Sequence, residues 1–329
     1  MKTEKSRRQF ISTLGLASVA ATLPSGFLLS CIGEKKDENT ANQADSTAIN
    51  QTQMPIRASK IAWGCSIITW GDQTAQGIKE VGELGFKGIQ LRSNSYKAYG
   101  DKIPELKALL DQYQLALPVF SSGNVEIDAA KEKETIEMHV NHAKFISQLG
   151  GKYLQLTNNA RPKDRQPTTA ELLRLAKVMN EIGKRTNDVG ISAVYHNHMA
   201  QLGETPEEVD IIMDACNPQY VNLLLDIAHY FQGGGDPAKA VMYYKEIMKV
   251  VHIKDVGDLE KEGKPSYQFV ELGQGKMNLP ELFDALEEVK FDGWVIDELD
   301  GIPQGVTRNA LECHQSNKKY IAEVLKYQI

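Results

Sequence analysis

Cysteine is scarce in this chain, with four among 329 residues. Cys31 lies near the start, and Cys65, Cys216 and Cys313 are far apart and odd in number, which excludes a disulfide framework as the basis of the fold. No activating base neighbours these three in sequence, so they read as small buried apolar residues. Basic excess is lacking too: the formal net charge is −6, and the first thirty residues hold Lys2, Lys5, Arg7 and Arg8 against Glu4, so the remainder is more acidic still. An acidic body argues against nucleic acid as a partner. Ile11 to Leu29 is apolar but broken by Pro24 and Gly26, too short and interrupted for a membrane span. What remains, 42% hydrophobic and 24% charged, is the balance of a globular protein with a sizeable core.

Residues 1–30 read as an address. A charged stretch, Lys5-Ser-Arg-Arg-Gln-Phe-Ile11, precedes the apolar run and resembles a twin-arginine export signal. Leu28-Leu-Ser-Cys31 resembles a lipoprotein cleavage box, with Cys31 as the lipidation site. Residues 31–58 are rich in Glu, Lys, Asp, Asn, Gln, Ser and Thr, too polar to fold, and read as a disordered tether. The expectation is an exported, periplasmic lipoprotein that meets the membrane only through its anchor.

Over residues 59–329, short apolar runs alternate with segments of helical period, the pattern of repeated βα units around a parallel sheet. Strands are predicted at Ile61–Cys65, Gly88–Arg92, Ala116–Phe120, Tyr153–Leu156, Ser192–His196, Val221–Asp226, Val250–Lys254 and Trp294–Leu299. Apolar helix faces lie between them, as at Leu172, Leu175, Ala176, Met179 and Ile182. Gly82, Gly85, Gly150, Gly151, Gly183 and Gly190 fall near helix ends and are expected as left-handed caps. Eight such units predict a single-domain (β/α)8 TIM barrel. A doubly wound sheet is disfavoured because no glycine-rich phosphate turn follows the first strand.

Such barrels work at the C-terminal ends of their strands. Four histidines fall there, in Tyr195-His-Asn-His198, Leu225-Asp-Ile-Ala-His229 and Val251-His-Ile-Lys-Asp255, and the last strand ends in Ile296-Asp-Glu-Leu-Asp300. Alternation along a strand turns His196, Asp226, His252 and Glu298 inward together. Two nitrogens and two carboxylates suit one divalent ion such as Mn, Zn or Co. Singly, each has a bland role, Asp226 as a helix cap for example; recurrence at equivalent points of consecutive units is what makes a site. His139, His142 and His314 lie on helices, where solvated or packing roles are expected, and Asp297 and Asp300 read as flanking surface charges.

The ordered motifs Gly85-Phe-Lys-Gly-Ile-Gln90, Tyr195-His-Asn-His198, Leu225-Asp-Ile-Ala-His229 with Gly235-Asp-Pro237, His252-Ile-Lys-Asp255, Leu272-Gly-Gln-Gly275 and Gly293-Trp-Val-Ile-Asp-Glu298 resemble the sugar isomerase/epimerase family with the xylose-isomerase-like barrel. That family also holds inosose dehydratases and endonuclease IV. The resemblance implies His196, Asp226, His252 and Glu298 as metal ligands and His229 as a substrate contact. It implies an acid/base that removes a proton beside a carbonyl; His198, Lys254 and Glu298 are the catalytic candidates, with Trp70 and Asp255 added as substrate contacts. Epimerases of this group carry Glu where His196 stands, and relatives commonly carry Glu where Gln90 stands, so two-base epimerisation is in doubt and the Tyr-His-Asn-His pattern looks closer to the inosose-dehydratase side.

The leading expectation is therefore a metal-dependent isomerase or epimerase of a non-phosphorylated sugar or polyol. The alternative is a lyase or dehydratase acting on a keto sugar, keto glycoside or inosose. A nuclease is opposed by the acidic charge and the export signal, and a non-catalytic sugar-binding lipoprotein by the full ligand set. The partners expected are a small sugar or polyol and a second copy of the chain in a homodimer. Val256 to Met277 reads as a long glycine-containing loop that either covers the pocket as a lid or is a passive insertion.

Overall fold

The structure, a computed structural model, describes residues 60–158 and 161–329; the expected export signal, Cys31 and the expected tether fall outside them. Eight parallel strands close a barrel: β1 (Ala62–Ser66), β2 (Gly88–Arg92), β3 (Ala116–Asn124), β4 (Tyr153–Thr157), β5 (Ser192–His196), β6 (Val221–Asp226), β7 (Met248–Ile253) and β10 (Trp294–Asp297). β10 closes the ring by pairing with both β7 and β1. Each predicted strand is present, three with unchanged ends and β3 extended by four residues. An antiparallel hairpin, β8 (Asp255–Lys261) and β9 (Lys264–Val270), stands where a loop was expected.

The helices are α1 (Thr74–Leu84), α2 (Ser93–Tyr99), α3 (Ile103–Gln112), α4 (Glu132–Gln148), α5 (Thr169–Asn187), α6 (Pro206–Ala215), α7 (Ile227–Gln232), α8 (Pro237–Tyr244), α9 (Leu279–Glu288) and α10 (Ala310–Glu323). α5 starts at a capping box in which Thr168 and Glu171 satisfy each other's backbone N–H groups. It buries Leu172, Leu175, Ala176, Met179 and Ile182, the predicted face, and each such aliphatic side chain withdrawn from water contributes about 1.5–3 kcal/mol. None of the described helices is long and apolar enough to cross a membrane.

Of the glycines expected as caps, Gly85, Gly150 and Gly190 have the left-handed φ of 89°, 75° and 78°. Gly82 and Gly183 instead lie inside helices, where a Cβ would come within 2.7 Å of Tyr113 and 2.6 Å of the Tyr220 carbonyl. Close packing rather than chain reversal requires glycine there.

Inside the barrel, Val119, Val194, Leu224, Val250 and Ile296 form a fully buried apolar plug, with Tyr153 and Trp294 packed against it. The Trp294 ring reaches so far across the barrel that a Cβ on Gly88 would lie 2.2 Å from it. Side chains two residues further along a strand point the same way, one layer higher. On these strands that layer is Ser121, His196, Asp226, His252 and Glu298, completed by Ser66, Gln90 and Gln155 two residues beyond Gly64, Gly88 and Tyr153. The plug therefore raises a polar ring to the C-terminal mouth.

Candidate active site

His196, Asp226, His252 and Glu298 converge as expected. All four are buried, and one ligand atom from each lies within 4.8 Å of every other. His196 Nε2 stands 3.3 Å from Asp226 Oδ2, and His252 Nδ1 stands 3.2 Å from Glu298 Oε1 and 3.5 Å from Asp226 Oδ2. The other Asp226 oxygen accepts from the backbone N–H groups of Ala228 and His229, so Asp226 both caps α7 and faces the ring. Asn197 donates to the Asp226 carbonyl and accepts from its N–H, which locks the end of β5 to that of β6.

Gln90 organises the far side. Its Oε1 accepts from His252 Nε2 at 2.8 Å, and its Nε2 donates to Glu298 Oε2 at 3.1 Å. Placing the His252 proton on Nε2 leaves the Nδ1 lone pair facing two carboxylate oxygens. Three electron-rich atoms thus converge on one point, and His252 Nδ1 and His196 Nδ1 have no hydrogen-bond partner. Burial works to lower the His252 pKa, yet Glu298 and Asp226 push it up to about 9, so a cation is drawn to this point whether it is a proton or a metal. His196 is held down to about 4 by burial, with Asp226 opposing, and keeps a free lone pair at neutral pH. This donor set fits a divalent transition metal.

Lys254 is fully buried, with Nζ 2.8 Å from Glu298, 3.1 Å from Asp226 and 2.9 Å from Asp300. Burial opposes its charge, but Asp226, Asp300 and Glu298 hold its pKa well above the usual lysine value. As an ammonium it is held between three carboxylates. Asp300, read from sequence as a surface charge, is half-buried at the mouth, its pKa raised by burial against the pull of Lys254. Asp297, likewise read as a surface charge, is fully buried outside the barrel, where its carboxylate accepts from His314 Nδ1 and Asn317 Nδ2, each at 2.7 Å. The ordinary strand alternation turns it away from Glu298.

His198 donates from Nδ1 to the Met199 carbonyl at 2.6 Å, which leaves Nε2 as a lone pair. Its ring lies 3.8 Å from that of His229, whose Nδ1 accepts from the Met199 N–H and whose Nε2 makes no hydrogen bond, with Asp300 Oδ2 3.9 Å away. His198 borders a cavity of about 270 Å³ also lined by Ser66, Gln90, Arg92, Gln155, Glu298 and Asp300. Gln155 Oε1 is another buried acceptor without a partner.

Two expected substrate contacts lie elsewhere. Trp70 is buried, stacked on His314 at 4.9 Å with its indole N–H on Glu80, and packs outside the barrel. Asp255 is buried and accepts from the N–H groups of Val256, Gly273, Gly275 and Met277, so it fastens the connection around the hairpin. His139 and His142 are not isolated, since Ser122 Oγ lies 2.6 and 2.8 Å from their Nδ1 atoms. Within the hairpin, Phe269 meets the His229 ring edge-on at 4.9 Å and lies under Lys254 Nζ at 4.9 Å, so β9 covers one side of the site.

The chain belongs to the xylose isomerase-like TIM barrel family, whose profile matches residues 78–317. Among individual relatives it is similar to an inosose dehydratase of Clostridium tetani, 28% identical over 299 residues that cover 83% of this chain and 98% of the relative. It is also similar to the inosose dehydratase of Lacticaseibacillus casei, 27% identical over 274 residues, 75% and 88% of the two chains. Among solved structures, the IOLI protein with a bound zinc atom superposes with a TM-score of 0.67 at 19% identity, covering 82% of this chain and 99% of that one. A D-tagatose 3-epimerase-like protein gives 0.65 at 20% identity, with 81% and 99% covered. At these identities the superpositions speak for the fold.

Proposed function

We propose that this protein is a metal-dependent enzyme that removes a proton beside the carbonyl of a non-phosphorylated keto sugar or keto polyol and then expels a group from the β-carbon. The observation that carries this reading is the convergence of the His252 Nδ1 lone pair with Asp226 and Glu298 oxygens, under a cavity into which a free histidine base also faces. A divalent cation held by His196, Asp226, His252 and Glu298 would supply Lewis-acid polarisation of the substrate's carbonyl and adjacent hydroxyl.

The chain's own groups do the rest. His198 Nε2 takes the proton, its tautomer fixed by the Met199 carbonyl. The Lys254 ammonium and His229 Nε2–H donate to the oxyanion that develops. Phe269 keeps water off the Lys254 side. The other polar groups of that cavity are Ser66 and Gln90, which take no proton, and the carboxylates of Glu298 and Asp300, the first assigned to the cation and the second paired with Lys254. One-sided acid/base equipment suits elimination, or an isomerisation that shares its first step, and lacks the second base of an inversion. The relatives named inosose dehydratase support elimination, and the zinc-bearing structural neighbour supports the metal. The resemblance of the Arg7-Arg8 stretch to an export signal and of the Cys31 surroundings to a lipoprotein cleavage box supports an extracytoplasmic, lipid-anchored location and with it a non-phosphorylated substrate.

Metal analysis of the purified protein, paired with solvent-deuterium exchange on keto sugars, tests this. About one transition metal per chain and exchange beside the carbonyl, both lost in a His252→Ala, Glu298→Ala double variant, are expected. A protein that stays metal-free after reconstitution with Mn, Zn and Co would sink the proposal and leave a sugar-binding role in its place.

A further inference from the structure

Two cavities meet at the mouth of the barrel. The cavity over the ligand ring is small, about 270 Å³, and mostly polar in its wall. A second, of about 600 Å³, lies between α2 and α4; Tyr96, Met138 and His142 give it an apolar surface, and Lys97, Glu126, Lys131 and Glu134 also line it. Ser93, Gly123 and Asn124 line both, so the two adjoin across the end of β3. Gly123 forms the sill: its φ is +106°, and nothing lies within 4 Å of where a Cβ would stand. Tyr96 is held stiffly, edge-on to His142 at 4.6 Å and to Phe145 at 5.2 Å, which makes it a rigid apolar wall.

We propose that the second cavity is a leaving-group subsite, and that the natural substrate is a keto glycoside with an apolar aglycone on the carbon β to the carbonyl. This rests on the enolising reading above and adds its substrate class. The first cavity falls just below the roughly 300–1,000 Å³ of small-molecule sites and suits one sugar ring; the pair together lies within that range. The change of wall chemistry across the sill matches a molecule with a hydroxylated half and an apolar half. A lone cyclic polyol, which expels only water, leaves the Tyr96–Met138 cavity unused.

The step balances without oxidant, reductant or added water. His198 takes the proton from the α-carbon, and the C–H electrons form a double bond to the β-carbon. The β-carbon–oxygen bond breaks, and the departing oxygen keeps its electron pair and takes the proton that His198 gained, which returns His198 to its starting state. The products are an unsaturated keto sugar and a free alcohol. The alcohol leaves through the second cavity, which opens to solvent.

The test uses the metal-loaded full chain and two keto glucosides whose carbonyl is two carbons from the anomeric centre, one with a methyl and one with a cyclohexylmethyl aglycone. The two leaving alcohols are similar in acidity and differ in apolar bulk. The cyclohexylmethyl substrate is expected to show about tenfold or greater advantage in kcat/KM, the scale that apolar pocket contacts give. Met138→Trp should collapse that ratio toward one, whereas Met138→Leu should keep it, with thermal melts confirming that both variants fold. Free cyclohexylmethanol should inhibit the wild type competitively and the Trp variant far less. A ratio near one in the wild type, or one that Met138→Trp does not change, overturns the subsite. If deuterium exchange beside the carbonyl persists in that case, only the subsite falls; if no keto sugar exchanges, the enolising reading falls and takes the subsite with it.

Discussion

Gln90 shows how much one amide decides. By accepting from His252 and donating to Glu298 it sets the imidazole tautomer and aims both ligands at the same point. Gln90→Leu should weaken metal affinity about 10–100-fold, the usual effect of losing a residue that orients ligands, as read by chelator competition. In the sequence Gln90 stood out only as a departure from its relatives, with no role of its own, because amides carry no charge. Gln90 and Gln155 stand two residues past Gly88 and Tyr153, just as His196 stands two past Val194, so the alternation that exposed the histidines pointed equally at them. Asp300 was concealed differently: a carboxylate past the end of a strand looks solvated until Lys254, buried beneath it, is seen to need a partner. The Cys65, Asp297 and His314 cluster is a packing network, since Asp297 is satisfied by His314 and Asn317, and His314 also meets Thr69.

Among the elements, the eight strands were legible because each is an apolar run bounded by turn residues, and β2, β5 and β6 begin and end where the pattern does. The β8–β9 hairpin was not. Its residues are mostly polar and neither strand alternates buried with exposed positions, so its pairing leaves no period to read. Its anchorage comes from the Asp255 carboxylate, which gathers four backbone N–H groups. Asp255→Ala should destabilise the protein by about 2–4 kcal/mol, because buried donors left without a charged acceptor each carry a desolvation penalty, and denaturant titration at constant slope would show it. A loss below about 0.5 kcal/mol would mean that the loop stands without this anchor.

At the scale of the whole molecule, stability should depend on pH through buried histidines remote from the ligand ring. Burial holds His139 down to about 3 and His142 to about 4. An unfolded histidine binds its proton near pH 6.5, so between about 6.5 and 4 the unfolded chain takes up protons that the fold refuses. Stability is therefore full above that window and falls as the pH drops through it. His139→Gln should give a shallower fall in melting temperature between pH 7 and pH 4 than the wild type, and parallel curves would refute the assignment.

The apolar plug of Val119, Val194, Leu224, Val250 and Ile296 closes the barrel beneath the ring, so the site is a well closed below and open at the C-terminal ends of the strands. Nothing passes through the floor: a sugar must come and go over the rim, while a cleaved fragment has its own way out across Gly123. Turnover in such a well is governed at its rim, where Phe269, Asp300 and Gly123 stand, and variants there should alter the order and pace of release more than the bond-breaking below.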